Sequence, residues 1–290
     1  MKLLVTGATG KLGSKVMEFL LKTVPADQLA VSVRDPEKAE SLRSRGVDVR
    51  QGDFDYPETL DTAFAGIDRL LIISADGDNE TRIRQHRNAV KAAEHAGVKF
   101  IAYTSIANAA NSENLMAPPH VATEAAIKET GIPYSFLRNN WYLENEIGSI
   151  EGVLAGAPWV TSAGSGKTGW ALQQDYAEAA AAVLAGEGHE NTVYELSGPL
   201  HTQEELVSAL GDVLGKNVHV EQVTDEKYAE IMKGLGLPDF VLPIVVGIQE
   251  SIRNGSLAVE SDDFEKVLRH AATPLNEGLK QIVAAINQAK

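Results

Sequence analysis

The first twenty residues constrain the fold of this chain more than any other stretch. Residues 3–5, Leu-Leu-Val, form an apolar run that is too short for a helix and indicates a strand buried on both faces. Gly7, Gly10 and Gly13 follow at three-residue steps, and from there apolar residues recur at helical spacing as far as Leu20. A strand, a glycine turn and a helix in this order direct backbone N–H groups and the positive end of the helix towards a phosphate group.

The spacing of these glycines is G-x-x-G-x-x-G, whereas the general dinucleotide fingerprint is G-x-G-x-x-G. The first turn is therefore one residue longer than in that fingerprint. Three glycines could by themselves form an ordinary loop between a strand and a helix. The buried strand before them and the amphipathic helix after them favour a dinucleotide site.

Segments with the features of strands and helices alternate through the first half of the chain. Further strands are expected at 28–33, 47–50, 69–74, 99–105 and 134–137, each separated from the next by a helix. This rhythm predicts an α/β protein of the Rossmann type with a doubly wound parallel sheet. Ligands of such sheets bind at the carboxyl ends of the strands. One edge should therefore carry the glycine turn together with Arg34, Asp53, Ser74 and Ser105.

The rhythm changes near residue 150, which suggests a second structural part. We predict a cofactor-binding Rossmann domain over residues 1–150 and a smaller carboxyl-terminal α/β lobe for the substrate over residues 151–290. The segment 175–198 is expected to return to the first domain.

Local signals are available within this second part. Residues 152–169 hold several glycines and predict a loop with short strands, and an alanine-rich helix should follow with Asp175 as its cap. Thr202 and Glu205 form a capping box for a later helix.

The composition limits the partners of the chain. Its 290 residues can bury roughly three quarters of the unfolded surface. A net charge of −14 argues against nucleic acid or an anionic membrane as a partner. With no cysteine there is no disulfide, no thiolate nucleophile and no Cys-ligated zinc. The apolar stretch 240–248 is too short to span a bilayer, and the N-terminus lacks the apolar segment of a signal peptide. We expect a soluble, cytoplasmic protein without a metal site.

Arg34 stands at the end of the second predicted strand, 21 residues after Gly13. In dinucleotide sites this position holds an acidic residue for the ribose of NAD or an arginine for the 2′-phosphate of NADP. The neighbouring Asp35 could contact a ribose itself, and Arg34 could be an ordinary surface residue. The planar cation at the strand end favours NADP.

His120 and Glu124 lie one helical turn apart in a predicted helix. They could bind a metal, although no third ligand is evident, or they could form a surface pair of no special function. After the sixth strand, Asn139 and Asn140 precede Trp141 and Tyr142. Amides and flat aromatic rings suit a nicotinamide or a planar substrate, but the same residues could plug a core and close a turn.

The segment 235–246 is unusually apolar and is broken by a glycine and two prolines. It could fill the core of the second lobe, or it could be an exposed patch for a protein partner. We favour a third interpretation, in which it is a lid with Phe240 against a planar acceptor.

Five segments resemble the NmrA-like branch of the atypical short-chain dehydrogenases/reductases. Within that branch the chain is similar to bacterial NADPH:quinone oxidoreductases of the quinone oxidoreductase 2 type and to triphenylmethane reductases. The resemblance spans most of the chain and is looser after residue 198. The segments that carry it are 5–13, 33–36, 98–105, 137–145 and 175–180.

The resemblance implies which residues bind NADPH. Residues 7–12 would hold the pyrophosphate, Arg34 the 2′-phosphate and residues 73–75 the adenosine, while residues 139–144 would lie near the nicotinamide. The expected cofactor-binding residues are Gly7, Ala8, Thr9, Gly10, Lys11, Leu12, Arg34, Asp53, Ile73, Ser74, Ala75, Thr104, Asn139, Asn140, Trp141, Tyr142, Leu143 and Glu144. The expected substrate-binding residues are Trp141, Tyr142 and Phe240.

The chain departs from the wider superfamily at one motif. The Tyr-x-x-x-Lys pair that acts as general acid there is absent, and His120 and Glu124 hold its places. The loss is typical of this branch, so hydride transfer is not excluded, but the source of the proton is unassigned. The candidates for a catalytic role are His120 and Tyr142. A hydroquinone anion could take its proton from water, whereas the more basic alkoxide of a ketone would need a positioned donor.

We therefore expect an oxidoreductase that transfers hydride from NADPH, rather than NADH, to a quinone or a similar planar acceptor. The alternative is an NmrA-like redox sensor that binds NADP and regulates a partner without turnover. A sugar-nucleotide epimerase is disfavoured by the missing tyrosine. The oligomeric state stays open.

Overall fold

A computed structural model describes residues 1–112 and 114–289 of the chain. The central feature is a seven-stranded sheet with the order β3-β2-β1-β4-β5-β6-β9. The strands are β1 (Leu3–Thr6), β2 (Leu29–Val33), β3 (Asp48–Gln51), β4 (Arg69–Ile72), β5 (Phe100–Ile106), β6 (Tyr134–Asn139), β7 (Trp159–Thr161), β8 (Lys167–Thr168), β9 (Thr192–Leu196), β10 (His201–Thr202) and β11 (Val220–Gln222).

Helices connect the strands of this sheet and continue to the end of the chain. They are α1 (Lys11–Thr23), α2 (Glu40–Ser44), α3 (Pro57–Phe64), α4 (Asn79–His95), α5 (Ala117–Glu129), α6 (Ile147–Leu154), α7 (Gln173–Ala185), α8 (Gln203–Leu214), α9 (Asp225–Gly234), α10 (Leu242–Arg253), α11 (Asp263–Leu268) and α12 (Leu275–Gln288). No helix among the described residues is long and apolar enough to cross a membrane.

The strand order confirms the predicted Rossmann-type fold. All neighbouring pairs from β3 to β6 are parallel, and Leu4 of β1 lies between Ala30 of β2 and Leu70 of β4. The chain leaves β1 towards β2 on one side and later returns to β4 on the other. The crevice between the loops that follow β1 and β4 is therefore the point at which an open sheet of this kind binds its ligand.

Burial explains why these segments form strands. Every residue of β1, β2, β4 and β5 is buried, as expected for parallel strands that are covered on both faces. On one face the apolar sides of α3, α4 and α5 pack on the sheet, with Phe64, Ala93 and Ile127 against Tyr103 and Phe136.

Two compact units divide the chain. The first consists of Met1–Ala109, Met116–Asn139 and Gln174–Tyr194, and the second of Ala110–Leu115, Asn140–Gln173 and Glu195–Lys290. The assignment of a cofactor domain to residues 1–150 and a substrate lobe to residues 151–290 stays a prediction, because a division by packing does not show what each part binds.

The second unit has its own core. Helices α6, α8 and α12 pack together through Ile150, Leu210 and Ile282, and β7 pairs in parallel with β11. The capping box predicted at Thr202 is present, since Thr202 Oγ1 accepts from the Glu205 N–H at 3.2 Å and the Glu205 carboxylate accepts from the Thr202 N–H at 2.8 Å.

Two local predictions need correction. Helix α7 begins at Gln173, so Asp175 lies in its first turn and is not its cap. The carboxylate of Glu144 instead accepts the N–H of Gln173, at 2.9 and 3.0 Å, which is a partner that no local pattern could indicate. The predicted loop over 152–169 starts too early, because α6 continues to Leu154 before the short strands β7 and β8.

Candidate cofactor site and the segments predicted around it

The glycine turn between β1 and α1 leaves the helix N-terminus open to an anion. Gly7 has a φ of +62°, and its carbonyl accepts the N–H of Gly10 at 3.0 Å. Gly10 caps α1 without a side chain, and the first turn of α1 carries no acidic residue. A Cβ at Gly13 would lie 2.2 Å from the Gly7 carbonyl oxygen, so only glycine allows the helix to approach the turn so closely. The N–H groups and the positive helix end suit a phosphate.

Arg34 and Asp35 follow β2 and have different surroundings. The guanidinium of Arg34 is exposed and makes no hydrogen bond or ion pair with the residues that the structure describes. The carboxylate of Asp35 accepts the N–H of Glu37 at 3.2 Å and caps a short 3-10 helix, Pro36–Ala39. The arginine is therefore available to a ligand, whereas the aspartate is already engaged with the backbone.

Asp53 follows β3 and closes a turn of its own. Its Oδ1 accepts the N–H of Asp55 at 2.9 Å, and its own N–H donates to Thr59 Oγ1 at 2.9 Å. The side chain thus fixes the loop after β3 at the sheet edge that also carries Arg34.

The loop after β4 is held through three consecutive backbone N–H groups. The N–H of Ile73 donates to Thr6 Oγ1 at 3.0 Å, that of Ser74 to Thr104 Oγ1 at 2.9 Å, and that of Ala75 to His86 Nε2 at 2.9 Å. The acceptors come from β1, β5 and α4. A Cβ at Gly7 would be 3.6 Å from Ile73 Cβ, so this loop lies directly beside the glycine turn.

His120 is buried with both ring nitrogens in use. Its Nε2 lies 2.9 Å from Arg82 Nη2, and its Nδ1 lies 2.9 Å from the Tyr103 hydroxyl. Because an arginine can only donate, Nε2 is the acceptor and Nδ1 carries the proton. Burial, followed by the charge of Arg82, holds the pKa of His120 well below its ordinary value. The imidazole is therefore neutral near pH 7.

Glu124 makes a separate set of contacts. Its carboxylate accepts from Arg138 Nη2 at 2.7 Å and from Ser105 Oγ at 2.7 Å, and it is 5% exposed. His120 is 7% exposed. The interpretation of these two residues as a surface pair is therefore wrong.

In the second unit, Asn140 is engaged on both sides of its amide. Its Nδ2 donates to Ser197 Oγ and to the Leu257 carbonyl, each at 3.0 Å, and its Oδ1 accepts the N–H of Trp141 at 2.8 Å. The side chain ties together three segments that are distant in the sequence.

Trp141 also has an internal partner. The indoles of Trp141 and Trp170 both donate to Glu146 Oε1 at 3.0 Å, and burial raises the pKa of this carboxyl. The backbone of Tyr142 pairs with Ala171, and Leu143 is buried in the core of the unit. These contacts fix the run 139–144 in place. Its role towards a nicotinamide stays a prediction.

Phe240 and Leu235 are 78% and 72% exposed, respectively. The core-filling interpretation of the segment 235–246 is therefore wrong for its two largest exposed side chains. The lid and the exposed patch remain as alternatives.

The structure brings the predicted residues of the first unit to one edge of the sheet. The glycine turn, Arg34, Asp53 and residues 73–75 follow the adjacent strands β1 to β4, and Thr104 lies within β5, close to its carboxyl end at Ile106. The sequence analysis missed Thr6, Arg82, His86 and Tyr103. The only available signal was polar side chains within apolar elements, and that signal does not identify their partners.

Comparison with known proteins adds to this geometry. The NmrA-like family matches residues 1–256 of the chain. Quinone oxidoreductase 2 of Escherichia coli is 39% identical over 279 residues, which cover 96% of this chain and 97% of that protein.

Two solved structures are similar over nearly their whole length. The structure of triphenylmethane reductase from Citrobacter sp. complexed with NADP(H) has a TM-score of 0.92 and 43% identity, and covers 97% of this chain and 100% of that one. The structure of the NADPH-dependent quinone oxidoreductase from Escherichia coli complexed with NADPH has a TM-score of 0.93 and 39% identity. It covers 97% of this chain and 99% of that one.

Proposed function

Because the chain belongs to the NmrA-like family, we propose that it is an oxidoreductase that transfers hydride from NADPH to a quinone or a similar planar acceptor. The observation that carries the cofactor is the exposed guanidinium of Arg34 at the end of β2, next to the parallel strand β1 that leads into an open helix N-terminus, with Asp35 already engaged. The acceptor class is supported by the relatives named above, which are a quinone oxidoreductase and a triphenylmethane reductase.

Different residues of the first unit suit different parts of NADPH. The N–H groups of the glycine turn and of the start of α1 suit the pyrophosphate. Arg34 can make charge-assisted bonds to the 2′-phosphate. We assign the adenosine to the sheet edge that carries the clamped loop 73–75 and Asp53, because ligands of such sheets bind at the carboxyl ends of the strands. Asn139 ends β6, and Thr104 lies near the same end of the neighbouring parallel strand β5.

The second unit supplies the remaining proposed residues. Asn140, Leu143 and Glu144 shape the backbone of the run 139–144 through the contacts described above. Trp141, Tyr142 and Phe240 present aromatic side chains that suit a flat acceptor. Of these residues, 140–144 fall within the proposed cofactor domain, residues 1–150, and Phe240 falls within the proposed substrate lobe, residues 151–290.

The reaction requires little of the protein beyond placing the two reactants. NADPH supplies the hydride, and the acceptor then needs one proton on the oxygen that becomes anionic. His120 cannot easily supply that proton, because its Nδ1–H is bonded to Tyr103 and its Nε2 faces Arg82. A hydroquinone anion is stable enough to be protonated by water, which agrees with the absence of the usual tyrosine.

The test is to mix the purified protein with NADPH and a panel of quinones and triarylmethane dyes while following the loss of NADPH absorbance. Turnover of at least one planar acceptor, with NADPH preferred to NADH, is the expected result. Tight binding of NADPH without oxidation by any acceptor would instead support the redox sensor.

A substitution at Phe240 tests the lid. Removing an aromatic contact to the acceptor should raise the KM for a quinone by about tenfold, since burying such a ring contributes roughly 1.5 kcal/mol or more. The affinity for NADPH and the thermal stability of Phe240→Ala should hardly change, because the ring is largely exposed in the free protein. The matched control is Val193→Ala, which removes another exposed apolar side chain. An unchanged KM would leave the segment as an exposed patch.

A further inference from the structure

The loop after β4, residues 73–75, lies at the reversal point of the sheet. β1 and β4 are neighbours in the sheet, although β2 and β3 come between them in the sequence. Gly7 approaches Ile73 closely enough that a Cβ on Gly7 would be in van der Waals contact with it. One wall of the ligand crevice is therefore the glycine turn, and the facing wall is this loop.

Loops at such positions are commonly free to move, but this one is held at every residue. The three N–H groups donate to Thr6, Thr104 and His86, which are 2%, 4% and 0% exposed. The side chain of Ser74 is held as well, because its Oγ accepts from Arg82 Nη2 at 2.8 Å. Bonds to buried acceptors cannot be exchanged for bonds to water without local opening of the protein.

His86 is suited to this task by its own contacts. Because Nε2 accepts from Ala75, the proton must be on Nδ1, which lies 2.8 Å from Thr123 Oγ1. The Thr123 hydroxyl in turn donates to the Pro119 carbonyl at 2.6 Å. The chain of donors runs in one direction from Ala75 to α5, so the tautomer and the orientation of the ring are both fixed.

We propose that His86 is a positioning residue for the nucleotide, which holds the loop 73–75 in its binding conformation before NADPH arrives. Ordering a loop upon binding reduces affinity, since fixing even one residue costs free energy equivalent to roughly tenfold in Kd. A loop that is clamped in advance avoids this loss. The inference rests on the proposed NADPH site, and His86 itself does not touch the ligand.

The test compares two replacements of His86 by direct binding measurements. His86→Leu removes the acceptor for the Ala75 N–H, and His86→Gln keeps an oxygen that can take its place. Three probes are titrated: NADPH, NADH and 2′,5′-ADP. For His86→Leu we expect about a tenfold loss of affinity for all three probes, with kcat for quinone reduction retained at saturating NADPH. His86→Gln should recover most of the loss.

The control is Ser135→Ala, which removes a different buried polar group of the first unit, a hydroxyl that donates to the His189 carbonyl. This variant should lose stability without any change in nucleotide affinity. If His86→Leu binds all three probes like the wild type, the inference is overturned. If the wild-type protein binds none of the three nucleotides, the proposed function itself is wrong, and the inference about His86 falls with it.

A measurement on the unmodified protein guards against a variant that does not fold. Amide hydrogen exchange of residues 74 and 75 in the absence of nucleotide should be as slow as in the neighbouring strand β4. Exchange as fast as in an open surface loop would show that the loop is not held in advance, and would overturn the inference without any substitution.

Discussion

Arg34 and Asp35 show how two adjacent charged residues acquire different roles. The backbone turns after β2, so that Asp35 caps the following 3-10 helix, while the exposed Arg34 makes no side-chain hydrogen bond or ion pair with the part of the chain that the structure describes. An unpaired arginine forms a planar fork of donors that matches a phosphate. The choice between NADPH and NADH should therefore depend on Arg34.

We predict that Arg34→Ala lowers the affinity for NADPH by about ten- to a hundredfold, since charge-assisted bonds contribute roughly 1.5–3 kcal/mol. The affinity for NADH should barely change, because it has no 2′-phosphate. Titration with both cofactors measures this, and Arg43→Ala, which removes an arginine that pairs with Glu40 on α2, is the control. Equal losses of affinity for NADPH and NADH would indicate that Asp35, and not Arg34, controls the choice of cofactor.

His120 stands where a general acid would be expected from the superfamily, but its contacts argue against that role. We predict that His120→Ala lowers kcat for a quinone by less than tenfold, against a loss of roughly a hundredfold or more for a true general acid. Steady-state kinetics over pH 5–9 would measure this. His120→Gln, which retains an acceptor for Arg82, controls for damage to the buried network. A larger fall in kcat together with the loss of one limb of the pH profile would contradict the prediction.

Among the elements, the junction of β1 and α1 is limited by the space at Gly13. Alanine within a helix is intrinsically favoured over glycine by about 1 kcal/mol. At Gly13, however, the added Cβ would meet backbone atoms of Gly7 and Ala8 at 2.2 and 2.8 Å, and backbone cannot move aside as a side chain can. The free-energy cost of this steric clash must therefore exceed the free energy that alanine gains over glycine as a helix former.

We predict that Gly13→Ala destabilises the protein and weakens NADPH binding, because α1 is pushed away from the turn. Gly152→Ala in α6 is the matched control, since its Cβ would meet only Ala157 Cβ at 3.9 Å. That variant should gain up to about 1 kcal/mol in stability. Thermal unfolding with and without NADPH distinguishes the two variants, and a stabilised Gly13→Ala would refute the steric interpretation.

For the molecule as a whole, the buried histidines make the fold sensitive to acid. Burial, followed by the charge of Arg82, lowers the pKa of His86 to about 3. In the unfolded chain the same group has a pKa near 6.5, so the unfolded state takes up the proton first. The stability that neutral His86 contributes is complete above about pH 6.5 and is lost as the pH falls towards 3.

We predict that His86 alone accounts for a fall of about 2 kcal/mol in the free energy of unfolding between pH 7 and pH 5. Denaturant unfolding of the wild type and of His86→Gln at the two pH values isolates the contribution of His86 to the free energy of unfolding, because glutamine does not titrate. The comparison also removes the contribution of Glu146, whose raised pKa acts in the opposite sense. Equal pH dependence in both proteins would be inconsistent with a buried neutral His86.

The sequence by itself determined those features whose contacts are local. The run 3–5, the three glycines and the start of α1 contact one another within about ten residues, so their spacing was enough to predict the turn and its phosphate-binding geometry. The alternation of strands and helices likewise predicted the parallel sheet, because strands that are buried on both faces must be apolar throughout.

Only the tertiary structure decided which polar side chains meet. Thr6 accepts from Ile73 across 67 positions of sequence, and Asn140 donates to Leu257 across 117. The exposure of Phe240 and the burial of His120 also depend on which elements pack beside them, and no local pattern records that. A hydrogen bond depends on distances of a few ångströms in space. Two residues that are far apart in the chain are brought to such distances only by the packing of the elements that carry them.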